Sequence, residues 1–340
     1  MKIAIHYTGS FSNRWVVYCQ ENNIEYKTVN CYADDIIAQL QDCDALLWHH
    51  NHLNPKDLVI AKQILFALEH SGFIVFPDFR TGWHFDDKVA QKYLLEAINA
   101  PMVKSYAFYE KQTALAWVNK TSFPKVFKLR GGAGSSNVKL IKNKSQATKI
   151  INRAFGRGFS NYDAWGSLKE RWRQFKTGKT SIKEPIKGLV RFFKPPEFAK
   201  VLGKEYNYVY FQEFIPNNDS DIRIIVIDNK AFGLKRYVRK NDFRASGSGN
   251  FTYARDEFDE RCITISFNIS SKLNLQCASY DFVFDEKNIP LLVEVSYGFS
   301  VAGYDSCPGY WDEHLNWHKG RFNPQGWMVE SIIKEAKKNK

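Results

Sequence analysis

Long apolar runs are absent from this chain of 340 residues. The longest pieces are short, such as Ile222–Ile227, far below the roughly 18 residues a helix needs to cross a bilayer. That excludes a membrane-spanning enzyme. The opening MKIAIHYTGSF has one Lys and a strand-like run broken by Gly9, without the apolar core or small-residue cleavage site of a secretory leader. Paired cysteines are absent too. Cys19, Cys31, Cys43, Cys262, Cys277 and Cys307 form no CxxC unit, so reduced thiols in a cytoplasmic protein are expected and a structural zinc site is not. Disorder-prone and low-complexity stretches are also missing, since 44% apolar and 25% charged residues is ordinary globular composition. A chain of this length is expected to form two or three lobes.

Positive charge and aromatic side chains are plentiful. There are 48 Lys and Arg against 36 Asp and Glu, a net charge of +12 that favours acidic partners. The excess is concentrated: residues 153–204 hold 13 Lys or Arg against 4 acids. The same stretch carries Trp165, Trp172, Phe175, Phe192 and Phe193, is punctuated by Gly and Pro, and reads as an insertion between sheet elements. It suits either an anionic acceptor, sugar- or peptide-linked, or a solvated helical lid. No nucleic-acid module accompanies the charge, so nucleic acid is not the expected partner.

Strands at Lys2–Tyr7, Glu25–Val29, Ala45–Trp48 and Phe73–Phe76 alternate with helices at Arg14–Asn22 and Pro55–Glu69, the pattern of a small parallel α/β domain. Asp86–Asn99 is amphipathic at helical spacing. Phe123–Leu129 and Val138–Ile141 read as strands around a glycine-rich turn, an order unlike a Walker loop or Rossmann turn, which open helices. Tyr208–Phe214, Ile222–Asp228 and Ala231–Tyr237 read as antiparallel strands, Asp259–Leu273 as a helix, and Ala278–Asp285 with Leu291–Val295 as a final hairpin. Met328–Lys337 reads as a last helix.

Seven places are candidates for chemistry. Asp281 and Glu294 lie on the two strands of the final hairpin, where pairing can bring both carboxylates to one face, a set suited to Mg²⁺ or simply to solvent. Lys128 precedes the Gly131–Ser136 turn, whose free N–H groups with that Lys could cover phosphates; Lys88, at a helix start, could be a second contact. The strand 210–216 has a polar pair, Gln212 and Glu213, before its exit, suited to a base edge and ribose hydroxyls. Asp221 and Arg223 share a strand face by alternation, as an ion pair or a functional acid and base. Lys235, Arg236, Arg239 and Arg244 precede a Ser- and Gly-rich loop and suit a transferring phosphoryl group with its carboxylate acceptor, or a basic sheet edge. His314 and His318 have the spacing of a helical metal pair without a third ligand. Residues 297–317 line an acceptor pocket or form a packed loop.

Taken in order, Asp87-Lys88, FPKVFKLRGGAGSSNV (123–138), VYFQEFI (209–215), DIR (221–223), FRAS (243–246), YDFVF (280–284) and LLVEVS (291–296) resemble the ATP-grasp superfamily, and most nearly its ribosomal-protein glutamate ligases and other carboxylate–amine ligases. The resemblance implies an α/β plus α+β architecture: an amino-terminal domain over 1–84, a lobe over 85–205 with the basic insertion 153–204, and a catalytic lobe over 206–340, the two lobes enclosing Mg-ATP. It implies that Lys88, Lys128, Gly131, Gly132, Ala133, Gly134 and Ser135 hold phosphates and that Gln212, Glu213, Phe214 and Ile215 hold adenine. It further implies that Asp221 lies near the ribose, that Ser246 is a further nucleotide contact, that Arg223, Arg236 and Arg244 are catalytic, and that Asp281, Glu294 and Ser296 bind two Mg²⁺. The family usually has Asn where Ser296 stands, which points to a weaker second metal or a binding-only protein. The implied reaction joins a small-molecule carboxylate to an amine through an acyl phosphate. A kinase or a nucleotide-binding regulator is the alternative, and a homodimer is left open.

Overall fold

The computed structural model describes residues 1–131, 137–178, 180–239 and 242–338. In β1 (Lys2–His6), Ile3 and Ile5 point to one buried face and Ala4 to another, as expected of a parallel strand covered on both sides. It is followed by α1 (Phe11–Glu21), β2 (Glu25–Val29), α2 (Ile36–Gln39), β3 (Ala45–Leu47), α3 (Pro55–His70), β4 (Ile74–Phe76) and α4 (Phe79–Gly82). The four strands are parallel in the order β2-β1-β3-β4. Helix α3 begins where Pro55 supplies a preset φ and the Asn54 side chain accepts from the Lys56 N–H at 3.0 Å. It stops before Gly72, whose φ of +89° suits glycine.

Next come α5 (Lys88–Ala97), β5 (Ser105–Phe108), α6 (Lys111–Val118), β6 (Lys125–Lys128), β7 (Lys139–Ile141) and α7 (Lys144–Ala154). The basic insertion then builds β8 (Phe159–Ser160), α8 (Ala164–Lys176), α9 (Lys183–Phe193), α10 (Glu197–Leu202) and β9 (Lys204–Glu205), before β10 (Val209–Glu213). Four of these strands make an antiparallel sheet ordered β5-β10-β6-β7, and β8 pairs with β9 separately. One face packs Phe127, Val209 and Phe211 against Ala114, Val118, Ala147 and Ile151 of α6 and α7. Strand β5 and helix α6 were not anticipated from the sequence.

The remainder forms β11 (Ser220–Ile227), β12 (Lys230–Tyr237), β13 (Phe251–Thr252), α11 (Glu260–Leu273), β14 (Cys277–Phe284), β15 (Pro290–Ser296), β16 (Gly309–Asp312), β17 (Trp317–Lys319) and α12 (Pro324–Lys338). The sheet order is β15-β14-β11-β12-β16-β17, with β13 on β12. Alternation splits its side chains. Ile222, Ile224, Val226, Tyr280 and Phe282 meet Cys262, Ile263 and Ile269 of α11. Ile225, Ile227, Phe232, Leu234 and Cys277 take the other face and share a core with Ile3, Phe11, Trp15 and Phe76 and with Trp327, Val329 and Ile332 of α12.

The chain thus has two compact units, one of residues 1–85, 95–102 and 217–340, the other of residues 86–94 and 103–216. The first and last segments of the sequence-based division share one core. His314 and His318 belong to the β16–β17 turn and β17 and not to a helix. His318 Nε2 is 2.8 Å from Asp312. Within residues 297–317, Tyr297, Phe299, Tyr304, Cys307 and Trp311 are buried, while Ser300, Asp305, Ser306 and Glu313 are exposed.

Candidate functional site

Within the first unit, the core face of the large sheet changes from apolar to ionic along its strands. Directly opposed residues share a face, so the pairings Arg223–Asp281 and Asp281–Glu294 place one base and two acids side by side across β11, β14 and β15. Asp221 faces Arg236 across β11 and β12, two residues along. Plain alternation would not have produced the carboxylate pair. The β14–β15 register shifts by one between Asp281 and Phe282; without that bulge Val293 would stand opposite Asp281 and Glu294 would point through the sheet.

The guanidinium of Arg223 grips Asp281 through both carboxylate oxygens. Arg236 grips Asp221 in the same way at 2.6 and 2.7 Å, and its Nη2 also reaches Asp281 at 2.8 Å. Asp281 is only 8% exposed. Burial alone would raise its pKa, but the two guanidinium groups outweigh burial and hold it well below the usual carboxylate range. Asp221 goes the other way: burial raises it, the neighbouring Asp281 charge adds to that, and Arg236 only partly compensates. Both arginines are raised, the attraction of their acids exceeding the cost of burial. Tyr304 is buried as well; burial raises its hydroxyl pKa, and the charges of Arg223 and Arg236 oppose the rise.

Ser296 follows Glu294 on β15, with its hydroxyl engaged by its own turn, 3.3 Å from the Gly298 carbonyl and 3.2 Å from the Gly298 N–H. Arg244 lies in the loop after β12 and binds Asp242 at 2.6 Å. Despite partial burial, this lowers the Asp242 pKa. The Ser246 carbonyl in the same loop accepts from Arg239 at 2.8 Å.

In the second unit, β10 lies between β5 and β6, and its alternation divides the expected adenine contacts. Gln212 takes the face away from α6 and α7, where its Oε1 accepts from Lys128 Nζ at 2.6 Å and its amide meets Ser105 at 3.2 Å. The Glu213 carboxylate takes the helix side. It accepts from Lys125 at 2.7 Å and Tyr106 at 2.8 Å, a network absent from the sequence reading. Phe214 and Ile215 follow, half-buried. Lys88 and Lys128 are each 6% exposed. Asp87 caps α5 by accepting from the Ala90 N–H at 2.9 Å, and the Lys88 N–H reaches the Arg130 carbonyl at 2.9 Å. Glu205 accepts from the Arg130 and Gly131 N–H groups at 3.1 and 3.3 Å and from the Tyr208 hydroxyl. Gly132, Ala133, Gly134 and Ser135 lie outside the described residues.

The donor set of the large sheet, two carboxylates and a hydroxyl, is all oxygen and fits Mg²⁺ better than a softer metal. Among the described residues no group of three or more His, Cys, Asp and Glu is arranged to hold a metal by itself. Asp281 and Glu294 therefore need oxygens from elsewhere, as a phosphate-bearing ligand would supply.

Residues 194–306 match the model of the RimK-like ATP-grasp domain. No curated protein matches the chain. Solved structures do. A RimK domain protein of the ATP-grasp kind from Sphaerobacter thermophilus DSM 20745 is 13% identical with a TM-score of 0.56, over 98% of this chain and 100% of that one. The D-alanine–D-alanine ligase from Bacillus anthracis, complexed with ATP, is 13% identical with a TM-score of 0.59, over 100% and 99%. The N5-carboxyaminoimidazole ribonucleotide synthetase from Thermotoga maritima is 12% identical with a TM-score of 0.57, over 98% and 75%. At such identities the likeness establishes the fold.

Proposed function

The chain has the ATP-grasp fold and residues 194–306 match the model of the RimK-like ATP-grasp domain; from that premise we propose that it is an ATP-dependent carboxylate–amine ligase. The observation that carries the proposal is the ionic row Asp221, Arg223, Arg236, Asp281 and Glu294 on one sheet face. Asp281 and Glu294, with Ser296, hold Mg²⁺, which supplies charge neutralisation at the phosphates. Lys88, Lys128 and Gly131, with Gly132, Ala133, Gly134 and Ser135, hold the ATP phosphates. The backbone of Gln212–Ile215 takes the adenine edge; Asp221 and Ser246 complete the nucleotide contacts.

In the reaction, a substrate carboxylate oxygen bonds to the γ-phosphorus as the bond to the β-phosphate oxygen breaks, giving an acyl phosphate and ADP. An amine then attacks the acyl carbon, phosphate leaves and the amine loses a proton, giving the amide. Arg223, Arg236 and Arg244 balance charge on the transferring group. A sugar- or peptide-linked anion is the acceptor suited to the basic insertion.

Phosphate release from Mg-ATP is measured across pools of amino acids, uronic acids and nucleotide sugars, with Glu294→Gln as control. Release that needs both an acid and an amine and falls at least about a hundredfold in the variant supports the ligase. ATP-dependent phosphorylation of an acid with no amide product makes it a kinase. Ser296, engaged by its own turn, favours a second reading, a nucleotide-binding regulator; tight ATP binding without turnover in any pool is its signature. Absence of ATP binding overturns all three.

A further inference from the structure

The circumference of α9 is divided three ways. At about 100° per residue, Pro185, Gly188 and Phe192 fall on one side, packed on α8. A methyl at Gly188 would approach Leu168 to 2.9 Å, Arg171 pairs with Glu184, and the Trp165 and Phe192 rings meet at 4.9 Å. Lys183, Lys187, Arg191 and Lys194 form a second strip. Ile182, Ile186, Leu189, Val190 and Phe193 form the third, and they are solvent-exposed at 46, 54, 55, 53 and 92%. A five-residue apolar strip on a helix that already has a packing partner needs another explanation than the core.

Helix α8 supplies the second half of the surface. Trp165 and Trp172, 66 and 46% exposed, alternate with the exposed Lys169 and Lys176 at positions i, i+4, i+7 and i+11, a single outward strip. The contacts of 165 with 192, 168 with 188 and 171 with 184 make the helices antiparallel. In α8 and α9 the outward strip lies about 100° round from the line of contact, in the same sense along the chain. Antiparallel packing turns equal offsets to the same side. The two strips therefore form one apolar plate, with lysines along it and beside it.

Residues 164–194 contain nine Lys or Arg and two Glu. Both acids are used within the hairpin: Glu170 binds Arg173 and Gln174, and Glu184 binds Arg171 and Lys187. An apolar plate of this kind against a second copy of itself would bring two strongly positive faces together, which is unfavourable. We propose that the α8–α9 hairpin docks the protein onto an anionic lipid surface. Its Ile, Leu, Val, Phe and Trp side chains enter the acyl boundary, and its lysines and Arg191 meet lipid phosphates. Among the described residues no helix is long and apolar enough to cross a membrane, so the chain would lie on the surface. The inference stands independently of the ligase reading.

The test is flotation of the full chain with phosphatidylcholine vesicles and with phosphatidylcholine–phosphatidylglycerol vesicles, at low and high salt. The mixed vesicles should bind it at low salt, with binding at least about tenfold weaker on neutral vesicles or at high salt. Leu189→Asp with Phe193→Asp should cut that binding about tenfold or more while leaving the thermal midpoint unchanged, since both positions are exposed. Lys183→Gln with Lys187→Gln should weaken binding and flatten its salt dependence. No binding to mixed vesicles overturns the proposal, as does binding that the Asp variants leave intact. Self-association that the Asp variants abolish, seen by sedimentation without lipid, assigns the plate to a second copy and also overturns it.

Discussion

Asp281 accepts from two guanidinium groups in a buried row, so its charge and theirs are interdependent. Removing one partner leaves an incompletely paired charge in the sheet, and such losses typically cost ~3 kcal/mol. Arg223→Met should lower stability by about that amount at pH 7 in a urea titration. A variant as stable as the parent would show that Arg236 alone suffices. Because the folded-state pKa of Asp281 is depressed, its contribution is present above the ordinary carboxylate value and is lost as pH falls below it. Lys128, buried and bonded to Gln212, is a different case. Exchanging that contact for a phosphate puts a charge-assisted bond in place of a bond to a neutral amide. Lys128→Met should weaken ATP binding by ~2 kcal/mol in calorimetry, with Lys88→Met similar. Unchanged affinity would remove the lysines from the phosphate site.

At the scale of elements, the register of β11 with β12 depends on Gly233. A Cβ there would lie 2.3 Å from the Arg223 carbonyl, too close for any rotamer to relieve. Gly233→Ala should push the strands apart, cost ~2 kcal/mol in thermal unfolding and disturb Arg223 with it. Much of this sheet was legible in the sequence. Ile222–Asp228 and Ala278–Asp285 read as strands by composition, and the hairpin argument found Asp281 and Glu294 as neighbours. The bulge that makes them true neighbours was not legible, because one extra residue leaves no mark on an apolar run such as Leu291–Val295. Helix α12 starts at Pro324 rather than Met328. The signal was there, in Asn323 before Pro324, and the Asn323 side chain accepts from the Gly326 N–H at 2.9 Å. For His314 and His318 a spacing of four could not distinguish a helix from a tight hairpin. Glu213 was placed with its neighbour Gln212, but successive residues of a strand face opposite ways, and Lys125 draws its carboxylate to the helix side.

At the scale of the whole molecule, histidines with shielded ring nitrogens make stability depend on acidity. His49 stacks on Phe11 at 3.9 Å, and His50 lies beside Tyr297 and Phe85. Burial depresses His49 to about 3 and His84 to about 4, and takes His50 well below its ordinary value. A base depressed in the folded state binds its proton mainly when unfolded. Stability is therefore full above about pH 6.5 and declines as pH falls toward the folded values, by ~1.4 kcal/mol per unit for each such His. Urea midpoints should drop between pH 6.5 and 4.5, and His49→Phe should lessen the slope by about one proton; a flat profile would contradict the burial of these rings.

The core shared by the first 85 residues and α12 sets an order on biosynthesis. A ribosome delivers Trp15 and Phe76 early and Trp327, Val329 and Ile332 near the end, yet all five belong to one cluster. Residues 103–216, a nearly self-contained stretch, can collapse while the chain is still being made. The sheet of β1–β4 waits with one face uncovered until α12 emerges. A ribosome stalled before residue 324 should hold a nascent chain whose middle resists protease and whose beginning is cut. The sheet of β1–β4, made before residues 103–216, would finish folding after them.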